Sequence, residues 1–123
     1  MSGFRELTVW QRAKALAVSV YKHTNEGTLA RDYGLRDQLR RAVVSVPSNI
    51  AEGDERDTNK ESVRFLYIAK GSLAEVITQI EIAFEIGYFN KSQREVLLSE
   101  CDAIGRMLGS LIKARSTNIT YNP

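Results

Sequence analysis

The chain has 123 residues, 43% hydrophobic and 26% charged, which is typical of one globular domain that buries a core without disulfides or metals. Its formal net charge of +2 is too small to require nucleic acid as a partner. No apolar run approaches the roughly 20 residues that a membrane-spanning helix needs, so no membrane partner is expected.

The cysteine content and the N-terminus indicate where the protein resides. A single cysteine, Cys101, permits no internal disulfide and suits a reducing compartment. The first ten residues contain no apolar stretch of the kind found in secretory signal peptides. We therefore expect a cytoplasmic protein.

Helix 1 is predicted over residues 8–24. Thr8 and Gln11 have the spacing of a capping box, in which each side chain bonds a free amide of the first turn. A rotation of about 100° per residue places the apolar side chains of this helix on one arc. The arc consists of Val9, Trp10, Ala13, Leu16, Ala17, Val20 and Tyr21.

Helix 2 is predicted over residues 33–52, with Gly53 as its stop and a proline inside it. Pro47 removes a backbone donor and clashes with the carbonyl four residues back, at a cost of about 3 kcal/mol. We therefore expect a bend at Pro47 and a compensating interaction in the assembled protein. The apolar stripe of this helix consists of Leu35, Leu39, Ala42, Val43, Val46 and Ile50.

Helix 3 is predicted to be the longest, running from residue 58 to residue 86 or 87 after an acidic turn. Thr58 and Glu61 form a second capping pair at its start. Its main apolar face is large enough for a bundle core. This face contains Phe65, Leu66, Ala69, Leu73, Val76, Ile77, Ile80, Ala83 and Phe84.

Helix 4 follows a short turn, with Ser92 and Glu95 as its capping pair, and continues to about Arg115. Residues 116–123 lack apolar periodicity, so we expect a flexible tail there. Short connections favour antiparallel neighbours. The sequence thus predicts a single all-α domain over residues 1–123, folded as an antiparallel up-down-up-down four-helix bundle.

Helix 3 also carries a strip of apolar residues outside its core face. Three isoleucines lie on this strip, and such a cluster is unfavourable in water. Helix 2 has a comparable outer side. These positions predict a homo-oligomer interface formed by Val44, Pro47, Ala51, Ile68, Gly71, Ile82 and Ile86. The alternative interpretation is that the core arc is wider and that these residues close the same core.

Three polar residues, Ser45, Asn49 and Glu52, lie about one turn apart at the edge of the helix 2 stripe. Because Pro47 frees backbone carbonyls nearby, these side chains predict a structural polar network with helix 3. The alternative is a solvated polar edge.

Arg36, Arg40 and Arg41 form the candidate nucleic-acid-binding patch. Arg36 and Arg40 lie one turn apart and away from the core, where they can contact phosphates. Asp32 and Asp37 stand at spacings that allow ion pairs with these arginines, and no aromatic residue lies between the arginines to stack on bases. The alternative is therefore a solvated charged face.

No constellation of residues for catalysis, cofactor binding or metal binding is evident in the sequence. His23 is the only histidine, which excludes a site built on two histidines of one subunit. Cys101 falls on the core arc of helix 4, which favours a buried thiol over a nucleophile. We therefore expect no enzymatic activity, no cofactor and no metal.

Two blocks of the chain resemble the signature of a known bacterial family. The first covers residues 33–42 and 45–53, and the second covers residues 59–61, 65–75 and Gln79; residues 7–13 match as well. The family is that of the four-helix-bundle proteins encoded in intervening sequences of bacterial 23S rRNA genes. It is similar to the accessory protein of diversity-generating retroelements.

The resemblance implies a four-helix protomer assembled into a ring, typically a homopentamer. For the retroelement relatives it implies a basic barrel that binds nucleic acid and a reverse transcriptase, and the mild charge of this chain departs from that pattern. The first hypothesis is thus a non-enzymatic, ring-forming accessory protein associated with RNA or DNA. The second is a scaffold that binds a protein partner and has no affinity for nucleic acid.

Overall fold

A computed structural model describes residues 3–117, which form four α-helices and two short 3-10 turns, with no strand in this range. The prediction of an all-α fold is confirmed. The helices are α1 (Thr8–His23), α2 (Tyr33–Asp54), α3 (Asn59–Glu85) and α4 (Lys91–Ser116), and the 3-10 turns are Phe4–Glu6 and Thr28–Arg31. With 27 residues, α3 is the longest helix, as predicted.

The helices pack in chain order, α1 on α2, α2 on α3 and α3 on α4, and α4 closes the bundle against α1. This neighbour order, with short connections, is that of the predicted up-down-up-down bundle. No helix within residues 3–117 is both long enough and apolar enough to cross a bilayer.

One contiguous core runs through the bundle, and it is built from the apolar positions that share a face of each helix. Leu29 of the second 3-10 turn and Phe89 of the turn after α3 close one end of it. Its largest contributors within the helices are Leu16, Val20, Leu39, Val43, Val46, Ile50, Leu66, Ile80, Leu97, Ile104 and Leu108.

The beginnings of α2 and α3 follow from local capping chemistry. The side chain of Thr58 accepts a hydrogen bond from the backbone N–H of Glu61, which confirms Thr58 as the N-cap of α3. Asp32 performs the same function for α2 by accepting from the N–H of Leu35. Each carboxylate or hydroxyl oxygen satisfies an amide that has no partner within its helix.

The capping pair predicted for α4 is wrong by two residues. Asn90 is the N-cap and forms a complete capping box with Gln93, so Ser92 and Glu95 already lie inside the helix. An Asn side chain reaches the N3 amide as well as a Ser hydroxyl does, and Gln93 returns a bond to the N–H of Asn90.

The capping box predicted at the start of α1 is also wrong. Leu7 occupies the N-cap position and gives no side-chain cap. The amide of Gln11 instead donates to the carbonyl of Arg5. The preceding 3-10 turn thus uses the side chain that would have completed the box.

Two helices run further than the sequence predicts. Gly53 does not stop α2, which continues through Pro47 and Gly53 to Asp54. A Cβ atom on Gly53 would lie 3.0 Å from the carbonyl oxygen of Ser62 and 3.2 Å from Cβ of Phe65. Glycine at this position therefore permits α2 to approach α3 closely.

The C-terminal end of α4 includes Ser116, which the sequence assigned to a tail. Arg115 holds this last turn, because its guanidinium donates to Oδ1 of Asp54 at 2.7 Å and to Oγ of Ser62 at 2.5 Å. These bonds tie α4 to the end of α2 and to the start of α3. The rest of the predicted tail, residues 118–123, lies outside the described residues.

Candidate assembly surfaces

One edge of α3, next to α2, exposes a row of apolar side chains although the core beneath it is closed. Ile68, Ile82 and Ile86 are 42%, 44% and 53% exposed. Gly71 and Glu75, both exposed, lie between them. We call Ile68, Gly71, Glu75, Ile82 and Ile86 the α3 edge. Because these isoleucines reach solvent, they do not close the core of the protomer, and an interface at this edge stays a prediction.

A second apolar surface lies where α1 meets α2. It is an open groove of about 520 Å³, which we call the α1–α2 groove. The residues that line it are Lys14, Ala17, Val18, Tyr21, Lys22, Val44 and Pro47.

The sequence analysis located only part of the α1–α2 groove. Val44 is exposed as predicted, whereas Pro47 is buried at the bottom of the groove and Ala51 is half-buried. The contribution of α1 was missed: Val18 is 50% exposed, and Tyr21, which was assigned to the core arc, is 44% exposed. The sequence did contain a signal for this contribution, because Val18 is an apolar residue that lies outside the core arc of α1.

A polar groove separates α2 from the α3 edge, and it contains part of the predicted network. Oγ of Ser45 and Oγ of Ser72 are 2.8 Å apart. The amide of Asn49 donates to the carbonyl oxygen and to Oγ of Ser45, both at 2.9 Å. These bonds link α2 to α3.

Glu52 does not join this network. Its side chain is about half exposed and accepts from Arg56, one turn further along the chain. A carboxylate gains more from a guanidinium at the solvated end of the helix than from a buried hydroxyl, because it keeps its hydration there. The prediction for Glu52 is therefore wrong, while Ser45 and Asn49 meet as expected.

Gln79 leaves an acceptor unsatisfied in the same polar groove. Its side chain is 9% exposed, and its Nε2 donates to Oε1 of Gln38 at 3.4 Å. Its own Oε1 is buried and has no hydrogen-bond partner within residues 3–117. A buried acceptor without a partner costs about 1–3 kcal/mol of stability. Gln38, Arg41, Ala42, Ser45, Ser72, Glu75 and Gln79 line the groove.

The three candidate phosphate-binding arginines are not equivalent. Arg40 Nε donates to Oγ1 of Thr24 at 2.9 Å, and its guanidinium lies 4.5 Å from the centroid of the Tyr21 ring. Arg36 donates to the carbonyl of Ala30 at 3.0 Å and pairs with Asp37 at 2.9 Å. Both side chains therefore hold the α1–α2 connection.

Arg41 differs, because it is exposed at the mouth of the polar groove. Within residues 3–117 it forms no ion pair with an acidic side chain. Of the three predicted residues, Arg41 is the one that remains available to a phosphate.

Cys101 has no reactive setting, and His23 is held through one ring nitrogen. Burial raises the pKa of the Cys101 thiol to about 12, so the thiolate that a nucleophile requires does not form near neutral pH. Nδ1 of His23 lies 2.8 Å from the carbonyl oxygen of Ser19, one turn back in α1. Within residues 3–117, no group of three His, Cys, Asp or Glu side chains is placed to hold a metal ion.

Comparison with known proteins places this geometry in context. Residues 5–110 match the family model described as the 23S rRNA-intervening sequence protein, which confirms the resemblance seen in the sequence. No curated protein matches the chain. A solved structure of a protein with unknown function from the S23 ribosomal protein family of Bacteroides thetaiotaomicron is similar, with a TM-score of 0.79 and 22% identity. The match covers 86% of this chain and 99% of that protein, and it shows a shared fold.

Proposed function

The chain belongs to the 23S rRNA-intervening sequence protein family, and we propose that it acts as a self-assembling helical scaffold, which binds partners and does not catalyse a reaction. The observation that carries this proposal is the pair of apolar surfaces outside a closed core. The inert environment of Cys101 supports binding over catalysis, and a buried free thiol suits a reducing cytoplasm.

The α3 edge contributes apolar area that favours association. Fully burying an isoleucine is worth about 1.5–3 kcal/mol. Ile68, Ile82 and Ile86 retain roughly half of their surface in the protomer. Covering them therefore gains about 1 kcal/mol each, and the apolar residues of the α1–α2 groove add a comparable amount. A closed ring of five copies is the assembly that the family resemblance implies.

Light scattering coupled to size-exclusion chromatography tests the proposal. The wild-type protein is expected to be an oligomer at tens of micromolar, and Ile82→Asp is expected to be a folded monomer. Val96→Asp is the matched control, because Val96 is 61% exposed on α4 and belongs to neither surface. A monomeric wild-type protein, or an Ile82→Asp variant that stays assembled, would refute self-assembly through the α3 edge.

Association with RNA or DNA is a second candidate function. It is supported by the family description and by Arg41, which is exposed and repeated on every copy of a ring. The net charge of the chain is only +2. Arg36 and Arg40 are held by contacts within the protomer, so the phosphate-binding patch contains fewer free cations than the sequence predicts. If the protein binds neither RNA nor DNA, the remaining partner is another protein. The retroelement resemblance implies that this partner is a reverse transcriptase.

A further inference from the structure

We propose that the segment after α4, residues 118–123, folds back over its own bundle and fills an apolar groove between α1 and α4. The groove is open, has a volume of about 580 Å³ and shares no residue with the α1–α2 groove or the α3 edge. It lies between the start of α1 and the last turns of α4. We call it the α1–α4 groove, and its apolar lining consists of Leu7, Val9, Met107, Leu111 and Ala114.

The α1–α4 groove leaves apolar side chains only partly covered. Leu7, Met107 and Leu111 pack against the core, yet each is only half-buried. Ser110 and Ala114 are exposed on α4, and their short side chains leave the space above them open. An apolar surface of this kind favours an apolar occupant over water.

Residues 118–123 begin at the right place and are long enough to be that occupant. α4 ends at Ser116, just beyond Ala114 at one end of the groove. From Ala114 the groove follows α4 back to Met107, which is about 10 Å at 1.5 Å per residue. Six extended residues span about 20 Å. The segment can therefore turn after Thr117 and run the length of the groove.

The side chains of this segment suit a groove with one apolar side and one open side. Its apolar residues occupy every second position, at Ile119, Tyr121 and Pro123, with polar residues between them. In an extended chain such residues share one face, so all three can enter the groove while the polar side chains face water. A tyrosine hydroxyl needs a polar partner, and Thr8 and Ser110 bring exposed hydroxyls to the rim.

Covalent connection favours this segment over a free partner. A short flexible tether gives an effective concentration in the millimolar range, so a weak apolar contact is enough to fill the groove. A second copy or a free peptide would have to compete at that concentration. The contact forms within one chain, so the inference is independent of the proposed self-assembly.

Disulfide trapping tests where the segment lies. The variant Thr8→Cys/Pro123→Cys places one thiol on the α1 wall of the groove and one at the far end of the segment. The matched control is Lys60→Cys/Pro123→Cys, because Lys60 is exposed in the first turn of α3. The end of α4 is bonded to the start of α3, so a freely moving segment reaches both positions. Cys101 is buried and does not compete.

We expect the Thr8→Cys/Pro123→Cys variant to form its disulfide within one chain about tenfold faster than the control, because docking raises the effective concentration of the two thiols. The reaction is followed in a glutathione buffer at low protein concentration. Mass spectrometry identifies the linked peptides, and circular dichroism verifies that both variants are folded.

Met107 supplies a second readout that needs no cross-link. The chain has two methionines, Met1 and Met107, so methyl-labelled methionine gives two NMR resonances. An aromatic ring packed against the Met107 methyl group shifts its resonance. Tyr121→Ser is expected to move this resonance towards the position of free methionine. Asn122→Ser is the matched control, because residue 122 lies on the opposite face of the extended segment, and it is expected to leave the resonance in place.

Faster trapping at Thr8 together with a Met107 resonance that responds to Tyr121→Ser alone supports the inference. Equal trapping rates at Thr8 and Lys60 would show a freely moving segment and overturn it. Disulfides between chains would overturn it in favour of a second copy in the groove. A Met107 resonance that Tyr121→Ser does not move would also overturn it. All of these outcomes are independent of whether the wild-type protein assembles.

Discussion

Arg40 illustrates how an exposed position in a sequence pattern acquires a structural role. It lies on α2, yet its guanidinium reaches the end of α1, where it donates to Thr24 and lies over the Tyr21 ring. Thr24 is fully buried and uses its own proton on the carbonyl of Val20. A cation at this point also interacts favourably with the C-terminal end of the α1 dipole. Arg40 therefore fixes the first helix hairpin.

We expect Arg40→Gln to lower the free energy of unfolding by about 1–2 kcal/mol, because a charge-assisted hydrogen bond and a cation–π contact are lost. Arg41→Gln is the control and is expected to change it by less than about 0.5 kcal/mol, as is usual for an exposed site. Urea denaturation followed by circular dichroism measures both. Equal effects of the two substitutions would show that Arg40 is only a surface charge.

At the scale of helices, ion pairs between neighbouring helices and the close approach of α2 to α3 at Gly53 determine how the helices pack. Arg94 of α4 binds Glu81 of α3 through two hydrogen bonds of 2.5 and 2.9 Å, and the hydrogen bonding lowers the pKa of Glu81. Arg12 of α1 holds Glu100 of α4 at 2.8 Å and lowers the pKa of that carboxyl in the same way. A carboxyl whose pKa is lower in the folded protein than in the unfolded chain stabilises the fold at pH values above its unfolded pKa. We therefore expect the stabilisation from Glu81 and Glu100 to be lost as the pH falls through their folded-state pKa values.

Gly53 of α2 and Gly71 of α3 are expected to respond oppositely to alanine. Gly53→Ala brings a methyl group against the backbone of Ser62, so we expect a loss of about 1–3 kcal/mol through overpacking. Gly71→Ala meets no atom within 4 Å and gains helix propensity, so we expect a stabilisation of about 0.5–1 kcal/mol.

Thermal or urea unfolding of both glycine variants in an Ile82→Asp background removes any contribution from assembly. Stabilisation by Gly53→Ala would contradict the close approach of α2 and α3.

At the scale of the whole molecule, charge distribution matters more than net charge. Half of the acidic and basic side chains form ion pairs within the protomer, and the other half includes Arg41 and Glu75. In an assembled ring each of these residues recurs once per copy, so a weak patch on one protomer becomes a repeated array. Any affinity for a polyanion therefore depends on assembly.

We expect the oligomer to bind structured RNA and duplex DNA at low salt without reading sequence. Phosphate contacts release counterions, so log K is expected to fall linearly with log salt, with a slope of about −0.9 per contact on duplex DNA. Arg41→Gln is expected to weaken binding to all sequences alike and to flatten that slope, as measured by fluorescence anisotropy. Arg106→Gln is the control, because Arg106 pairs with Asp102 on α4.

The absence of binding at micromolar protein would leave the protein-partner scaffold as the function. Equal effects of Arg41→Gln and Arg106→Gln would show that the binding is diffuse and that Arg41 forms no particular phosphate contact.

Features that depend on neighbours within about one helical turn were predictable from the sequence. Thr58 was identified as an N-cap because its partner amide belongs to Glu61, three residues on. Ser45 and Asn49 were paired correctly because residues four apart share a helix face. Where two local solutions competed, as for Asn90 and Ser92 at the start of α4, spacing alone did not choose between them.

The sequence by itself determined four helices, their order and the faces that form the core, because helical periodicity and hydrophobic burial act on each segment separately. Only the tertiary structure decided which outward residues are available. The contact of Arg40 with Thr24, the unsatisfied Oε1 of Gln79 and the exposure of Val18 beside Val44 each depend on how two different helices lie against one another. A one-dimensional pattern contains no distance between helices, so these features arise when the helices pack.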